Sequence, residues 1–547
     1  MKKFLFLFVA VVFAGSSAFT QVNNSNVNQT GWLNTAGVTQ VGWFNSSDVD
    51  QLGLWNGATV DQTGLANYSS VDQFLVGNMA DVTQLGLFNS SYVDQVGFFN
   101  SAVVDQMGLA NFSGIMQLGL ANSASATQYG LFNMSDITQY GLFNSATAMQ
   151  VGLANYSSIL QGNFGNSAGV LQVGAFNNST VYQMGFLSSA MVAQFGLMNS
   201  ASITQLYTYL STAEILQVGI ANRARTLQVG GDHNHAFINQ WGFRNLARTT
   251  QLGGSFNNAS ITQLRAFNRA STTQLGGYSN SAAIHQNGYF NRASTFQLGG
   301  TDNDASITQN GWANRARTVQ IGGSGNDAKT TQMGARNWAY VEQIGEVDGK
   351  VVVKQKGYRN FADVTQMFGT GDKARVNQKG AFNRAYVSQL FGTKNKAKVV
   401  QRDYSNLAVV VQIGGMKNKA DVYQKGEDNF AFVGQFGGSD NEAFVEQRGD
   451  DNSGLVFQVA QEESLADILQ LGDDNVAVIG QIVGARNSAT IIQTGDDNTG
   501  LTFQFGDDNT SFLEQVGNDH FGLVIQDGND NFAVTQQGNA GTIFVGP

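Results

Sequence analysis

The sequence predicts an all-β chain, a parallel two-sheet β-solenoid of stacked 22–23-residue strand-turn-strand coils. Three observations predict it. Glutamine recurs every 11 residues from Gln29 to Gln205 without a slip, then at alternating steps of 12 and 11 to Gln493, and again at 11 to Gln537. These 46 glutamines, spread over 508 residues, form one register, and a fixed period of this kind marks a repeat architecture. The segment between them reads N-x-[AS]-x-[VIT]-x-Q and alternates with period two, as a strand with one buried face does. Asn100, Ala102, Val104 and Gln106 share one side, with Ser101, Val103 and Asp105 on the other. Finally, the only proline among 547 residues is the last one, so every central strand keeps its N–H, and a Gly two places after most glutamines argues against helix.

Each segment follows from this frame. Residues 1–18 read as a secretory signal peptide: Lys2 and Lys3, an apolar run from Phe4 to Ala14, then small residues to a cut after Ala18. It is too short to span a bilayer once mature, and no later segment reads as a transmembrane run. With no cysteine, neither a cysteine-linked lipid nor a disulfide is available. Residues 19–222 form acidic, apolar 11-residue half-coils, each a strand of about seven residues and a turn of four or five. In residues 223–425, rich in Arg and Lys, the extra residue always falls between Gln and Asn, as in QVGGDHN from Gln228 to Asn234, which marks that place as the loop. Because alternate turns differ in length there, the repeating unit is a pair of strands, and one pair alone buries too little to stand without stacking. Residues 426–547 are acidic, with GDDN turns.

Stacking gives the recurring amides a purpose. Each residue lies about 4.8 Å above its equivalent one coil earlier, so two amide columns form, Gln84, Gln106 and Gln128 in one and Gln95, Gln117 and Gln139 in the other. Asn89 with Asn111, and Asn100 with Asn122, extend the ladder at the turns. Identical inward amides at strand spacing pair with one another, as in cross-β ladders. Each bond nets about 1 kcal/mol, whereas an orphaned buried partner costs about 1–3 kcal/mol.

The unit S/N-x5-Q-x-G-x2-N-x-A-x3-Q resembles the repeat of curlins, the subunits of bacterial curli fibres, and NSAVVDQMGLANFSGIMQ from Asn100 to Gln117 carries it. The resemblance extends over nearly the whole mature chain. It implies an extracellular functional amyloid of biofilm matrix, exported through an outer-membrane secretion pore and started by a nucleator subunit.

Charge and apolar residues divide the chain lengthwise. Between residues 4 and 222 there is no Lys or Arg and only nine acids. Turn pairs such as Trp32–Leu33, Trp43–Phe44, Leu87–Phe88 and Phe98–Phe99 are apolar, either because one member folds into the core corner or because they form a lateral contact surface. Arg223, Arg269, Arg292 and Arg315 fall in one column with Leu246 in the gap, flanked by Arg225, Arg248 and Arg317. Such a basic stripe suits matrix polysaccharide or extracellular DNA, or is a solvated face with counter-charges nearby. The Asp pairs of the GDDN turns stack at strand spacing, as gatekeeping charges or as calcium ligands. Asp50, Asp72 and Asp94 stack earlier in the same manner.

No cofactor is implied, and catalysis is not expected, since every loop is short and no nucleophile or acid pair sits in a cleft. His233 and His235 in GDHNH read as a solvated turn rather than a metal loop. Two functions fit: a secreted subunit that polymerises with itself by end-to-end strand stacking in adhesion and surface attachment, or a monomeric cell-surface adhesin rod of about 110 Å binding polysaccharide, ice or calcium. The outward column Thr262, His285, Thr308 and Thr331 is too irregular to favour ice.

Overall fold

A computed structural model describes residues 22–538 and the backbone of 543–545, so the expected signal peptide at 1–18 lies outside the described residues. The described residues are all-β and contain no helix, with 47 strands numbered β1 (Asn24–Trp32) to β47 (Ile543–Val545) in chain order. The chain divides into two compact units, residues 1–221 and 222–547. The compositional segments 223–425 and 426–547 both fall in the second.

In the N-terminal unit, odd strands pair in parallel to make one sheet and even strands make the other. β8 (Ser101–Leu109) pairs with β10 (Ser123–Leu131) with every residue opposite its equivalent 22 later, Ala102 against Ala124 and Gln106 against Gln128. Inward columns of Ala, Val and Ile are buried between the sheets, and outward positions alternate with them. The C-terminal unit repeats the plan at a spacing of 23, Ala247 opposite Ala270, and returns to 22 at Ser488 opposite Thr510. Its longer turns add a third ladder of single bridges along one edge, from Asp232–Ser255 onward.

One expectation is corrected. Strands of the N-terminal unit are nine residues long (ten in β17, Ser200–Tyr209), not seven, because pairing continues through the Gly and the residue after it. Only two residues, Ala110 and Asn111, then separate β8 from β9 (Phe112–Leu120). Gly108 has φ +132°, and a Cβ there would stand 1.9 Å from the carbonyl oxygen of Gly130 on the next coil. The glycine thus permits close approach of successive backbones. The bend itself falls on the residue before Asn, held in the left-handed region even when bulky: Phe88 has φ 58° and Phe132 φ 57°. Where seven-residue strands do occur, as at β19 (Arg223–Val229), the extra length is in the turn, whose Gly230 and Gly231 both have positive φ.

Candidate functional site

The amide columns run through the buried interior. Gln84 Nε2 donates to Gln106 Oε1, and Gln106 Nε2 to Gln128 Oε1, each at 2.8 Å. Gln95 to Gln117 and Gln117 to Gln139 repeat the contact at 2.8 Å in the other sheet. Each Nε2 also reaches across the core, Gln117 to Ser101 O at 2.9 Å, so one side chain ties successive coils and opposing sheets. The turn amides run in the opposite sense: Asn111 Nδ2 donates back to Asn89 Oδ1, and Asn122 Nδ2 to Asn100 Oδ1, both at 3.1 Å. Asn100 Oδ1 also accepts the Asn122 backbone N–H at 3.1 Å.

The tips of this ladder differ. At β1, inward Val27 is 44% exposed, whereas its equivalent Val49 is fully buried. Among the described residues no strand lies outside β1, and no donor reaches Gln29 Oε1, although its Nε2 donates to Gln51 Oε1 at 2.6 Å. The C-terminal tip is partly covered. β47 lies antiparallel on β46 (Phe532–Gly538), with Val534 opposite Val545, and covers one strand of the C-terminal tip. Among the described residues the neighbouring β45 (Phe521–Asp527) pairs only with the preceding coil.

The repeat of five fixed positions, the inward amides and the two parallel sheets together decide the family. The sequence profile of the Curlin associated repeat matches residues 77–108, 277–311, 300–329, 415–449, 462–495, 484–517 and 495–528, in both units. This is a curlin-repeat protein. A comparison with curated proteins finds no match. Curlin repeats in this fold fit a curli-like structural protein, and among the described residues no group of three or more His, Cys, Asp or Glu could hold a metal. No helix of the described residues is long and apolar enough to cross a membrane.

Each surface of the curlin stack can now be placed. Both members of the apolar turn pairs are exposed, Leu87 at 42% and Phe88 at 55%, so neither folds into the core corner. Arg223, Leu246, Arg269, Arg292 and Arg315 are successive register partners and end on Trp338, over whose ring the Arg315 guanidinium sits at 4.8 Å. Arg225 lies opposite Arg248, and Arg317 lies 5.6 Å over the Tyr340 ring. All seven arginines are exposed, and among the described residues no carboxylate pairs with them. Thr262, His285, Thr308 and Thr331 do align, and Lys354 follows them.

In the GDDN turns the stacked carboxylates are engaged by the backbone. Asp473 Oδ1 accepts the Asp450 N–H at 2.7 Å, and Asp496 Oδ1 accepts that of Asp473 at 3.0 Å. The second Asp of each pair takes the left-handed turn position, Asp451 at φ 55° and Asp474 at φ 56°, which Asp tolerates better than most residues. Burial and the neighbouring carboxylates Asp50 and Asp94 push Asp72 up from the usual range. His233 stacks flat on Phe256 at 4.8 Å.

Sequence reasoning missed the densest basic face. Lys350, Lys373, Lys396 and Lys419 are successive partners on the outer side of the even sheet, beside Lys354, Lys356, Arg375 and Lys398. They line an open groove of about 920 Å³. Among the described residues only the end members of the column have ion pairs, Lys350 with Asp327 at 2.8 Å and Lys419 with Glu442 at 3.3 Å. Their spacing of 23 is legible in the sequence.

Proposed function

We propose that the chain is the secreted structural subunit of an extracellular curli-like fibre that grows by end-to-end stacking of coils and serves matrix cohesion, adhesion and surface attachment. The observation that carries this is the open N-terminal coil. Among the described residues Val27 and Gln29 present there a half-exposed core position and an unfilled amide acceptor, the two things a preceding coil fills further along the stack. The final glutamine steps return to 11, so both tips carry the same 22-residue coil. Because the ladder glutamines donate to the glutamine of the following coil, as Gln504 Nε2 does to Gln526 Oε1 at 2.8 Å, docking is head to tail, with Gln526 donating to Gln29 of the next copy. Such heterologous contacts propagate into open filaments. An unpaired strand is a template of the same kind. The chain acts without catalysis in this reading. Its partners are further copies of itself, with a nucleator subunit and an outer-membrane secretion pore for initiation and export.

The test compares the mature chain with one ending at residue 538, by thioflavin fluorescence and electron microscopy. The truncated chain bares β46 and is expected to lengthen faster at equal concentration. Persistent single rods in both preparations would sink the fibre reading. They would favour a surface adhesin, for which the lysine groove, with Lys373 and Lys396 outside any ion pair among the described residues, offers a site for matrix polysaccharide or extracellular DNA.

A further inference from the structure

The turns leading from even to odd strands in the N-terminal unit carry a second period that the coil itself does not require. Their left-handed positions hold Phe44, Phe88, Phe132 and Phe176, with Ala66, Ala110 and Ala154 between them, so large and small side chains alternate coil by coil. The four rings are 49–56% exposed and the alanines half-buried. The opposite edge repeats the alternation, with Trp55, Phe99 and Phe143 separated by Gly77 and Ala121. Arg336, Lys394 and Asp451 take the same kind of position in the C-terminal unit, so the turn does not demand a ring. A bulky side chain gains nothing at positive φ, where any Cβ is disfavoured.

We propose that this Phe/Ala edge pairs with the same edge of a second copy of the chain, the ring on every second coil of one copy entering the hollow at the alanine coil of the other. Rings two coils apart stand about 9.6 Å from each other. A ring inserted midway lies about 4.8 Å from both, inside the distance at which aromatic pairs attract. The chain supplies its own measure of that stack: Phe267 and Phe290, left-handed residues on adjacent coils, lie 4.8 Å apart with their planes at 3°. In the N-terminal unit the alternation denies Phe44, Phe88, Phe132 and Phe176 such a neighbour in their own column.

Composition favours a second copy over a membrane. Residues 4–222 hold no Lys or Arg to meet anionic headgroups, whereas a corrugation of two coils matches itself once shifted by one coil. Area agrees as well. The four half-exposed rings offer roughly 100 Å² each, and the flanking exposed Leu87, Leu131 and Leu197 bring the edge toward the roughly 800 Å² per partner of a stable interface. The contact is lateral and does not depend on growth at the tips.

Two variants of the mature chain test this: Phe44→Ala with Phe88→Ala, Phe132→Ala and Phe176→Ala, and Ala66→Phe with Ala110→Phe and Ala154→Phe. Circular dichroism reports whether each keeps its strands, sedimentation the lateral pair, and electron microscopy fibre width separately from length. The first variant is expected to weaken pairing by roughly a hundredfold. The second is expected to lose pairing too, although its edge is more apolar, because its rings stack within their own column and fill the hollows. Equal or stronger pairing by the second variant would overturn the proposal in favour of unspecific apolar contact. So would wild-type binding to neutral phosphatidylcholine vesicles under conditions where no pair sediments. Altered length at unchanged width would bear on the fibre reading and count against this edge as the lateral contact.

Discussion

Replacing Gln117 by leucine isolates what one rung of the ladder contributes. The side chain is fully buried, accepts from Gln95 Nε2 at 2.8 Å, and donates to Gln139 Oε1 at 2.8 Å and Ser101 O at 2.9 Å. Leucine removes all three bonds, each worth about 1 kcal/mol net. Gln95 Nε2 keeps a partner in Met79 O at 2.9 Å, but Gln139 Oε1 loses its only side-chain donor, at a further cost of about 1–3 kcal/mol. Burial of the leucine returns about 1–2 kcal/mol, leaving a destabilisation of about 3 kcal/mol. In a repeat stack this loss is local. Hydrogen exchange should therefore accelerate by roughly a hundredfold in the coils on either side of residue 117 and little elsewhere. Gln537→Leu is the control: among the described residues its Nε2 donates to Phe521 O and to no further glutamine, and Gln515 Nε2, which donates to it, keeps Thr499 O at 3.0 Å, so no buried glutamine acceptor is orphaned. Equal effects at the two positions, or a change below about 0.5 kcal/mol at residue 117, would refute a ladder enforced by the penalty for orphaned amides.

Two further outcomes are expected. Burial first, and then repulsion from Asp372, push Glu346 up to about 7, while burial pushes Asp372 up to about 6. The coils around them should be firmest below about pH 4.5 and lose up to about 3 kcal/mol as pH rises through 7. Glu346→Gln should flatten much of that dependence in exchange or melting measurements from pH 4 to 8 (a range on the order of the pKa values involved). Thr318 is buried with no partner for its hydroxyl, so Thr318→Val should raise local stability by about 1 kcal/mol, read as slower exchange in the adjoining coils.

Period, sheet class and the identity of the ladder columns were legible because they repeat dozens of times and each follows from side-chain alternation alone. The strand ends were not. In QMGLAN the glycine looks like a turn residue, yet it keeps its pairing through Leu109 and only then does the chain bend, at Ala110. Composition could not say whether Phe88 turns inward, since a left-handed backbone at that residue is what holds it outside. The stacked Asp473 and Asp496 suggested repulsion or calcium because the backbone N–H groups that engage them leave no trace in a sequence. β47 escaped notice for a related reason. It runs against the direction of every other strand, so no repeat marks it.

One irregular stretch of the turn ladder shows what the repeat conserves physically. Glu346 stands where neighbouring coils have the second glycine of the turn, as in Gly323, and Gly349 stands where they have asparagine. The two changes compensate. A Cβ at Gly349 would lie 2.3 Å from Glu346 Cγ, so the glutamate occupies the place of the missing amide, and its Oε2 accepts the Gly369 N–H at 2.8 Å. Asp372, one coil on, keeps the acceptor half of the asparagine role, since its Oδ1 takes the Asn395 N–H at 2.8 Å. It lacks the donor half, which Asn326 makes to Glu346 O at 2.6 Å, and its Oδ2 is buried without a partner. A proton on that oxygen would restore the missing donor and turn the carboxyl into a mimic of the amide it replaces. The upward shift of Asp372 has the sign this requires. The ladder therefore constrains positions of donors and acceptors, not residue names, and a carboxyl is admitted wherever it can carry a proton.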